Sequence, residues 1–408
     1  MRIPRDSTVE LSSVPEDLEV EHGCRVRCIG EGSTLKVSGD VECRGSVEFI
    51  GSVTCRDFTG EDGAIRVGSL SCNDLEIRDG SLEVSGDLHA DSVDVDKTLR
   101  VTGRTEAEDI EVGGTLDLSY VKALSVDVGG TFRASQDAEI EEIDVGGKVE
   151  IGGKIKARTL EVGGKARLNG GEISESIEVG GFFESTAPLK FGDVEVGGVV
   201  TLVGSNIGGD IEVGGRLRVS GDLSFKGLEI GGTADIEGEA SGNEVELGGR
   251  LSVGSSLKLS DDLEVGGSVE IRGDATARNV EVGGSLRSRS LRIETGDFSG
   301  EIRTEKGVFA KGRIEVGRKS RVEGWLKSLE SVLVGSRAEV DSVYAPRIRM
   351  ESRSRAVGLY AEDLELEDQV EIAGEALYTR SFKADSPPLG KQPIKVESIP
   401  PGKKWSGD

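Results

Sequence analysis

The stretch Leu228-Glu229-Ile230-Gly231-Gly232-Thr233-Ala234-Asp235-Ile236-Glu237-Gly238, continued by Glu239 to Glu244, is one period of a repeat. Leu228 and Ile230 point one way and Glu229 the other, which is the alternation of a half-buried strand. Ala234 and Ile236 repeat the alternation after the Gly-Gly pair. A third, weaker pair precedes the next repeat, as in Leu223 and Phe225 or Ala275 and Ala277. Three short strands of about six residues each close a triangular coil, with Gly at the corner supplying backbone angles that other residues reach only at a cost.

The pentapeptide apolar–acid–apolar–Gly–Gly recurs with first glycines at Gly113, Gly129, Gly146, Gly163, Gly180, Gly197, Gly214, Gly231, Gly248, Gly266 and Gly283. The steps are 16, seven of 17, then 18 and 17, and Gly317 follows two periods later. Such a fixed period marks a solenoid. The register extends both ways. Leu18, Leu35, Val53, Leu70 and Leu88 are expected in the third strand, and Cys24, Val41, Phe58, Leu75 and Val93 in the first. Val332/Val334, Ile348/Met350 and Leu364/Leu366 continue the column. The fold class is therefore all-β: one long parallel β-helix of triangular section over residues 9–384, right-handed by the rule for parallel crossovers. About 22 coils at the ~4.8 Å strand spacing make a rod on the order of 100 Å long. Residues 1–8 are expected to be flexible. Residues 385–408 hold five of the nine prolines and are expected to form a flexible tail.

One coil does not stand alone. Ordering 17 residues costs roughly 25 kcal/mol at ~1.5 each. Burying about six aliphatic side chains returns ~12 kcal/mol, and about ten ladder bonds return ~10. Stability comes from stacking on neighbours, so both rod ends expose strand edges and apolar core that need a cap or a partner.

Composition narrows the function classes. The 408 residues carry a net charge of −25, with 36 % hydrophobic and 4 % aromatic residues. That balance argues against a chain that grips nucleic acid or anionic lipid as a whole. No apolar run approaches ~18 residues, and no hydrophobic stretch follows Met1-Arg2-Ile3-Pro4-Arg5, so neither a spanning helix nor a secretory signal is expected. All five Cys lie in the first 72 residues, which suits a reducing compartment. Cys55 and Cys72 share an inward position with Ala90, Ala107 and Ala157 and read as core. Cys24 and Cys28, ~13 Å apart in an extended strand, are too distant to share one ion. His22 and His89 are the only histidines, and no catalytic triad or metal-ligand set assembles around them. Gly-Gly lacks the GK[ST] and helix of a phosphate loop.

Two charge features stand out. Glu111, Asp127, Asp144, Glu161, Glu178, Glu195, Glu212, Glu229, Glu246, Glu264 and Glu281 occupy one outward position in successive coils. They read as a solvated face helped by Arg216, Arg218 and Arg250 nearby, or as a face for cations or a basic partner. Residues 286–360 hold 16 Lys and Arg against 10 Asp and Glu, leaving −31 on the rest. Arg287, Arg289, Arg292, Arg347, Arg349, Arg353 and Arg355 could meet another rod's acidic face, a nucleic acid or an anionic membrane.

Segments such as Ile211-Glu212-Val213-Gly214-Gly215-Arg216-Leu217-Arg218-Val219-Ser220-Gly221-Asp222-Leu223 resemble the bactofilins. The resemblance implies a polymer-forming cytoskeletal protein, a right-handed β-helix with tails, and rods joined end to end without nucleotide. The rod is longer than a usual bactofilin core, and no short apolar membrane-targeting segment precedes it. The resulting expectation is a non-enzymatic cytoplasmic scaffold without cofactor or metal. Its contacts would be Val9, Leu11, Leu18 and Val20 at one end and Val370, Ile372, Leu377 and Phe382 at the other. The expected partners are further copies of itself and another scaffold or cell-envelope protein. Nucleic acid is not expected, and membrane contact, through a partner, is left open. The competing classes are a β-helix enzyme (a hexapeptide-type acyltransferase or a polysaccharide lyase) and a surface-exposed stalk or adhesin. The first would need a protruding catalytic loop or cleft and the second a secretory signal.

Overall fold

The computed structural model describes residues 1–399. It divides into two compact units, Met1–Val203 and the chain from Gly204 onward. Each is a parallel β-solenoid with about 17 residues per coil, about twelve coils in the first and about eleven in the second. Apart from one 3-10 turn at Glu31–Ser33, the regular structure is all strand.

In unit 1 the three strands of each coil lie on three faces. Val41–Arg44, Asp57–Glu61, Asp74–Arg78 and Ser92–Val95 succeed one another on the first face. Ala64–Val67, Ser81–Val84 and Thr98–Val101 do so on the second, and Ser52–Thr54, Leu70–Ser71 and Leu88–His89 on the third. Inward residues stack into continuous apolar columns. Leu116, Phe132 and Val149 follow one another in register, all buried. Each such side chain contributes roughly 2 kcal/mol relative to exposure, and the strand period of two keeps the polar set outside.

The corners are unequal. Thr115–Val128 runs as one strand through the second, third and first faces, so those two bends are shallow; the break comes at Gly129–Gly130. None of these Gly-Gly corners takes a left-handed φ, which corrects the expectation that Gly supplies unusual backbone angles there. The reason is contact between coils. A Cβ on Gly147 would lie 2.3 Å from the Gly130 carbonyl oxygen, and one on Gly164 2.4 Å from that of Gly147.

The first coils also depart from expectation. Leu18 pairs with Val41 on the first face, not the third, and Cys24 introduces the second-face strand Arg25–Cys28. That coil advances 23 residues from Leu18 to Val41. The excess is the loop around Glu31–Ser33, between Cys28 and Thr34. From Leu35 and Val41 onward the expected columns hold.

Unit 2 repeats the plan. Gly227–Ile230, Glu244–Leu247 and Asp262–Val265 stack on its first face, and Thr233–Ile236, Arg250–Val253 and Ser268–Ile271 on its second. Toward its end, Glu339–Met350, Arg355–Leu366 and Glu371–Ala384 each run through all three faces.

Both termini differ from the sequence expectation. Residues 1–8 are not a loose arm. Arg2–Ile3 pairs with Glu19–Val20 and buries Ile3, because the backbone needs a ladder and Ile3 extends an inward column. The solenoid likewise continues past residue 384. Leu389–Gly390 pairs with Glu371–Ile372, and Ile394–Lys395 pairs with Leu377–Tyr378. The rest of the expected tail, 400–408, lies outside the described residues.

Candidate functional site

The expected site is the pair of solenoid ends. At the amino-terminal end, Arg2–Ile3, Thr8–Leu11 and Ser13–Val14 each pair on one side only, with Leu18–Val20, Arg25–Cys28 and Thr34–Val37. Val9 and Leu11 keep the inward parity of Val26 and Cys28 beneath them, yet they are half-buried where those two are buried. Their uncovered side is the open end of the core. Leu18 and Val20 are not at this surface. They lie one coil deeper, with Ile3 stacked on Val20.

Charges frame this end. Arg2 Nη2 donates to Glu21 Oε1 at 2.5 Å, and Arg5 Nε lies 3.6 Å from Glu21 Oε2. The hydrogen bond from Arg2, reinforced by the fields of Arg5 and Arg44, holds the Glu21 carboxyl below the usual carboxylate range. An open cleft of about 840 Å³ beside it is lined by Arg2, Arg5, Glu21, His22, Arg44 and Asp62. The His22 ring nitrogen Nδ1 accepts from the Ser46 backbone N–H at 3.1 Å, a corner-bracing role.

At the carboxy-terminal end, Val370, Ile372 and Leu377 are buried. The returning chain covers them. Leu389 N–H donates to Val370 O at 2.8 Å, Lys391 N–H to Ile372 O at 2.9 Å, and Val396 N–H to Tyr378 O at 2.9 Å. Gly390 sits above Ile372, so no side chain extends that inward column. Phe382 stacks above Leu364 in the first-face column and is only half-buried. Its ring meets Tyr378 at 5.6 Å. No described strand lies beyond Ser381–Ala384 on that face, while Leu389 and Ile394 are 55 % and 58 % exposed. Among the described residues this end therefore presents three singly paired strands, Ser381–Ala384, Leu389–Gly390 and Ile394–Lys395, with a half-covered aromatic pair and two exposed aliphatic side chains.

The acidic positions fall into ladders. In unit 1, Glu76, Asp94, Glu111, Asp127, Asp144, Glu161, Glu178 and Glu195 are successive register partners. In unit 2, Glu212, Glu229, Glu246, Glu264, Glu281, Asp297 and Glu315 are. Neighbours ~5 Å apart repel by about 0.8 kcal/mol in water-like dielectric. The second face of unit 1 is arranged oppositely, with Arg100 on Asp117 at 3.2 Å and Arg133 on Glu150 at 3.0 Å. Arg216, expected to relieve the ladder, instead donates to Thr233 Oγ1 at 3.3 Å. Burial is the main cause that raises the Asp94 carboxyl, with Asp96 and Glu76 adding to it.

Some features escaped sequence reading. Tyr344 and Tyr360 stack at 4.4 Å with rings nearly parallel on the outside of the third face, and Tyr360 Oη donates to Glu375 at 3.2 Å. Burial is the first cause that pushes the Tyr360 hydroxyl up to about 12, with Tyr344 and Glu375 next. Their 16-residue spacing was the available signal. Cys55 and Cys72 are buried as expected, and the Cys55 contact together with burial raises the Cys72 thiol well above its ordinary value. Among the described residues no three His, Cys, Asp or Glu side chains are placed to hold a metal ion. No described helix is long and apolar enough to cross a membrane.

No protein-family model matches the chain, and neither a curated protein nor a solved structure does so.

Proposed function

We propose that the chain is a non-enzymatic scaffold protein that polymerises through the ends of its solenoid, in the manner the bactofilin resemblance implies. The observation that carries this reading is the amino-terminal end, with three singly paired parallel strands whose inward residues Val9 and Leu11 are half-buried, beside Ile3 and Val14, which are buried. An incoming strand edge satisfies those backbone groups and removes the apolar residues from water without any cofactor. At the other end Phe382 and the Ser381–Ala384 edge offer the complementary surface. Head-to-tail addition continues the same parallel ladder, so the polymer needs no nucleotide. Five free, buried cysteines suit a reducing cytoplasm as the place of action.

The test is sedimentation and electron microscopy of the full chain beside Val9→Asp, Leu11→Asp and Phe382→Asp. Wild type should form filaments, and each variant should shift the assembly to shorter species with its fold intact. A chain that stays monomeric across concentration and salt, or variants that polymerise like wild type, would sink the reading.

A further inference from the structure

The corner between the first and second faces changes character along unit 2. Lys319, Arg337 and Arg353 occupy it in three successive coils, as the registers Arg321↔Glu339 and Glu339↔Arg355 require. All three are left-handed, with φ of 62°, 60° and 61°. An L-residue other than Gly or Asn is disfavoured there. Upstream the same corner carries Gly-Gly without a left-handed φ; here it is left-handed, and long basic side chains stand where Gly would be easier. The ridge is braced from beneath. Lys319 N–H donates to Ser336 O at 3.0 Å, Arg337 N–H to Ser352 O at 3.2 Å, and Arg353 N–H to Asp368 O at 3.0 Å. Glu351 accepts from Ser336 N–H and Oγ, and Glu367 accepts from Ser352 N–H and Oγ and from Arg349. Those carboxylates are thus engaged within the corner, and all three basic side chains are exposed. Lys319, Arg337 and the neighbouring Arg318 form no ion pair among the described residues, and Arg353 Nε donates only to the neutral Gln369 at 3.1 Å.

A surface of opposite sign and the same repeat exists on this chain. The first-face strands of unit 1 from Asp109–Val112 to Asp193–Val196 contain no Lys or Arg. Their ladder from Glu111 to Glu195 is exposed and forms no ion pair among the described residues, and the bordering Gly-Gly edge carries no side chains to obstruct an approach. Both arrays advance one charge per coil, at the ~4.8 Å spacing of parallel strands. A straight row of cations therefore stays in step with a row of carboxylates over several coils.

We propose that chains also associate side by side, the Lys319–Arg337–Arg353 ridge of one copy lying along the Glu111–Glu195 ladder of another. This contact is separate from end-to-end growth and binds a second copy through charge alone, so it is cut by salt once the screening length falls below ~8–10 Å. Six acids against three cations permit several registers, which favours bundles over a single defined dimer.

The test uses the full chain with Lys319→Asn, Arg337→Asn and Arg353→Asn together, since Asn tolerates the left-handed corner and the fold is kept. Filament width by electron microscopy and light scattering is read at 50 and 500 mM NaCl. Wild type should bundle at low salt only, and the triple variant should lose at least tenfold in low-salt scattering while filaments of single width persist. Glu161→Lys, Glu178→Lys and Glu195→Lys together should lose bundling too, and should fail to recover it with the Asn variant. Bundling by the Asn variant equal to wild type would overturn the proposal. So would an unchanged bundle accompanied by loss of binding to vesicles of anionic phospholipid, which would assign the ridge to a membrane. If wild type forms no filaments yet still associates at low salt in a way the Asn variant loses, end-to-end growth fails and the lateral contact stands.

Discussion

Glycine at a solenoid corner is fixed by the coil below it, and two adjacent glycines isolate that effect. A Cβ on Gly248 would meet nothing nearer than the Gly231 oxygen at 3.9 Å, whereas one on Gly249 would lie 1.8 Å from the Gly232 oxygen. Neither residue is left-handed, so backbone conformation does not separate them. Gly249→Ala should lower stability by about 1–3 kcal/mol, the usual cost of overpacking against a backbone that yields little. Gly248→Ala should be close to neutral or slightly stabilising, because Ala reduces the freedom of the unfolded chain. Urea-unfolding midpoints of the two variants decide the point. Equal losses would show that something other than contact between coils holds Gly there.

Individual strands are tied across coils by polar pairs whose worth depends on pH. The third-face strand Asp274–Thr276 meets Arg289 and Ser290 of the next coil. Arg289 Nε donates to Asp274 Oδ1 at 2.9 Å, its Nη2 donates to Oδ2, and Ser290 Oγ donates at 2.5 Å. The Arg289 hydrogen bond is the first cause that brings the Asp274 carboxyl down to about 2 from an ordinary 3.8. A depressed folded value means stability that is present above the ordinary value and lost as pH falls toward the folded one. Arg289→Gln should therefore unfold earlier than wild type at pH 6, and the gap between their thermal midpoints should close as pH falls from about 4 to about 2. A gap that persists at pH 2 would place the Arg289 contribution in packing. Such pairs were hard to read in the sequence, since Asp274 and Arg289 are 15 apart, off the 17-residue period. What was legible was periodic. The inward columns from Leu35 and Val41 onward follow from alternation and spacing alone. One 23-residue coil was enough to displace Leu18 and Cys24 by a face, because the pattern carries no mark of where an extra loop enters. Of the end residues, Val9, Leu11 and Phe382 are at exposed edges. Leu18, Val20, Val370, Ile372 and Leu377 are covered, because chain expected to be flexible at both termini adds strands instead.

At the scale of the molecule, charge is distributed against stability. The net −25 already favours expansion, and the ladders concentrate it in rows without intervening cations. In unit 1, Asp144, Glu161 and Glu178 have like-charged register partners on both sides, from Asp127 through to Glu195. Replacing these three by Asn, Gln and Gln removes four neighbour repulsions of about 0.8 kcal/mol each. The variant should gain up to about 3 kcal/mol at low ionic strength, and less as salt shortens the screening length below the reach of the row. The second-face pairs Arg100–Asp117 and Arg133–Glu150 supply the opposite control. Asp117→Asn should cost no more than about 1 kcal/mol, since an exposed ion pair contributes little. Chemical unfolding at 20 and 500 mM NaCl separates the two effects. The ladder variant should converge on wild type at high salt from the stable side, and Asp117→Asn from the unstable side. A ladder variant that gains nothing at low salt would mean that the row is already neutralised by cations held from solution. The acidic face would then stabilise the solenoid with its counterions, and a bare row of carboxylates would not be what a neighbouring chain meets.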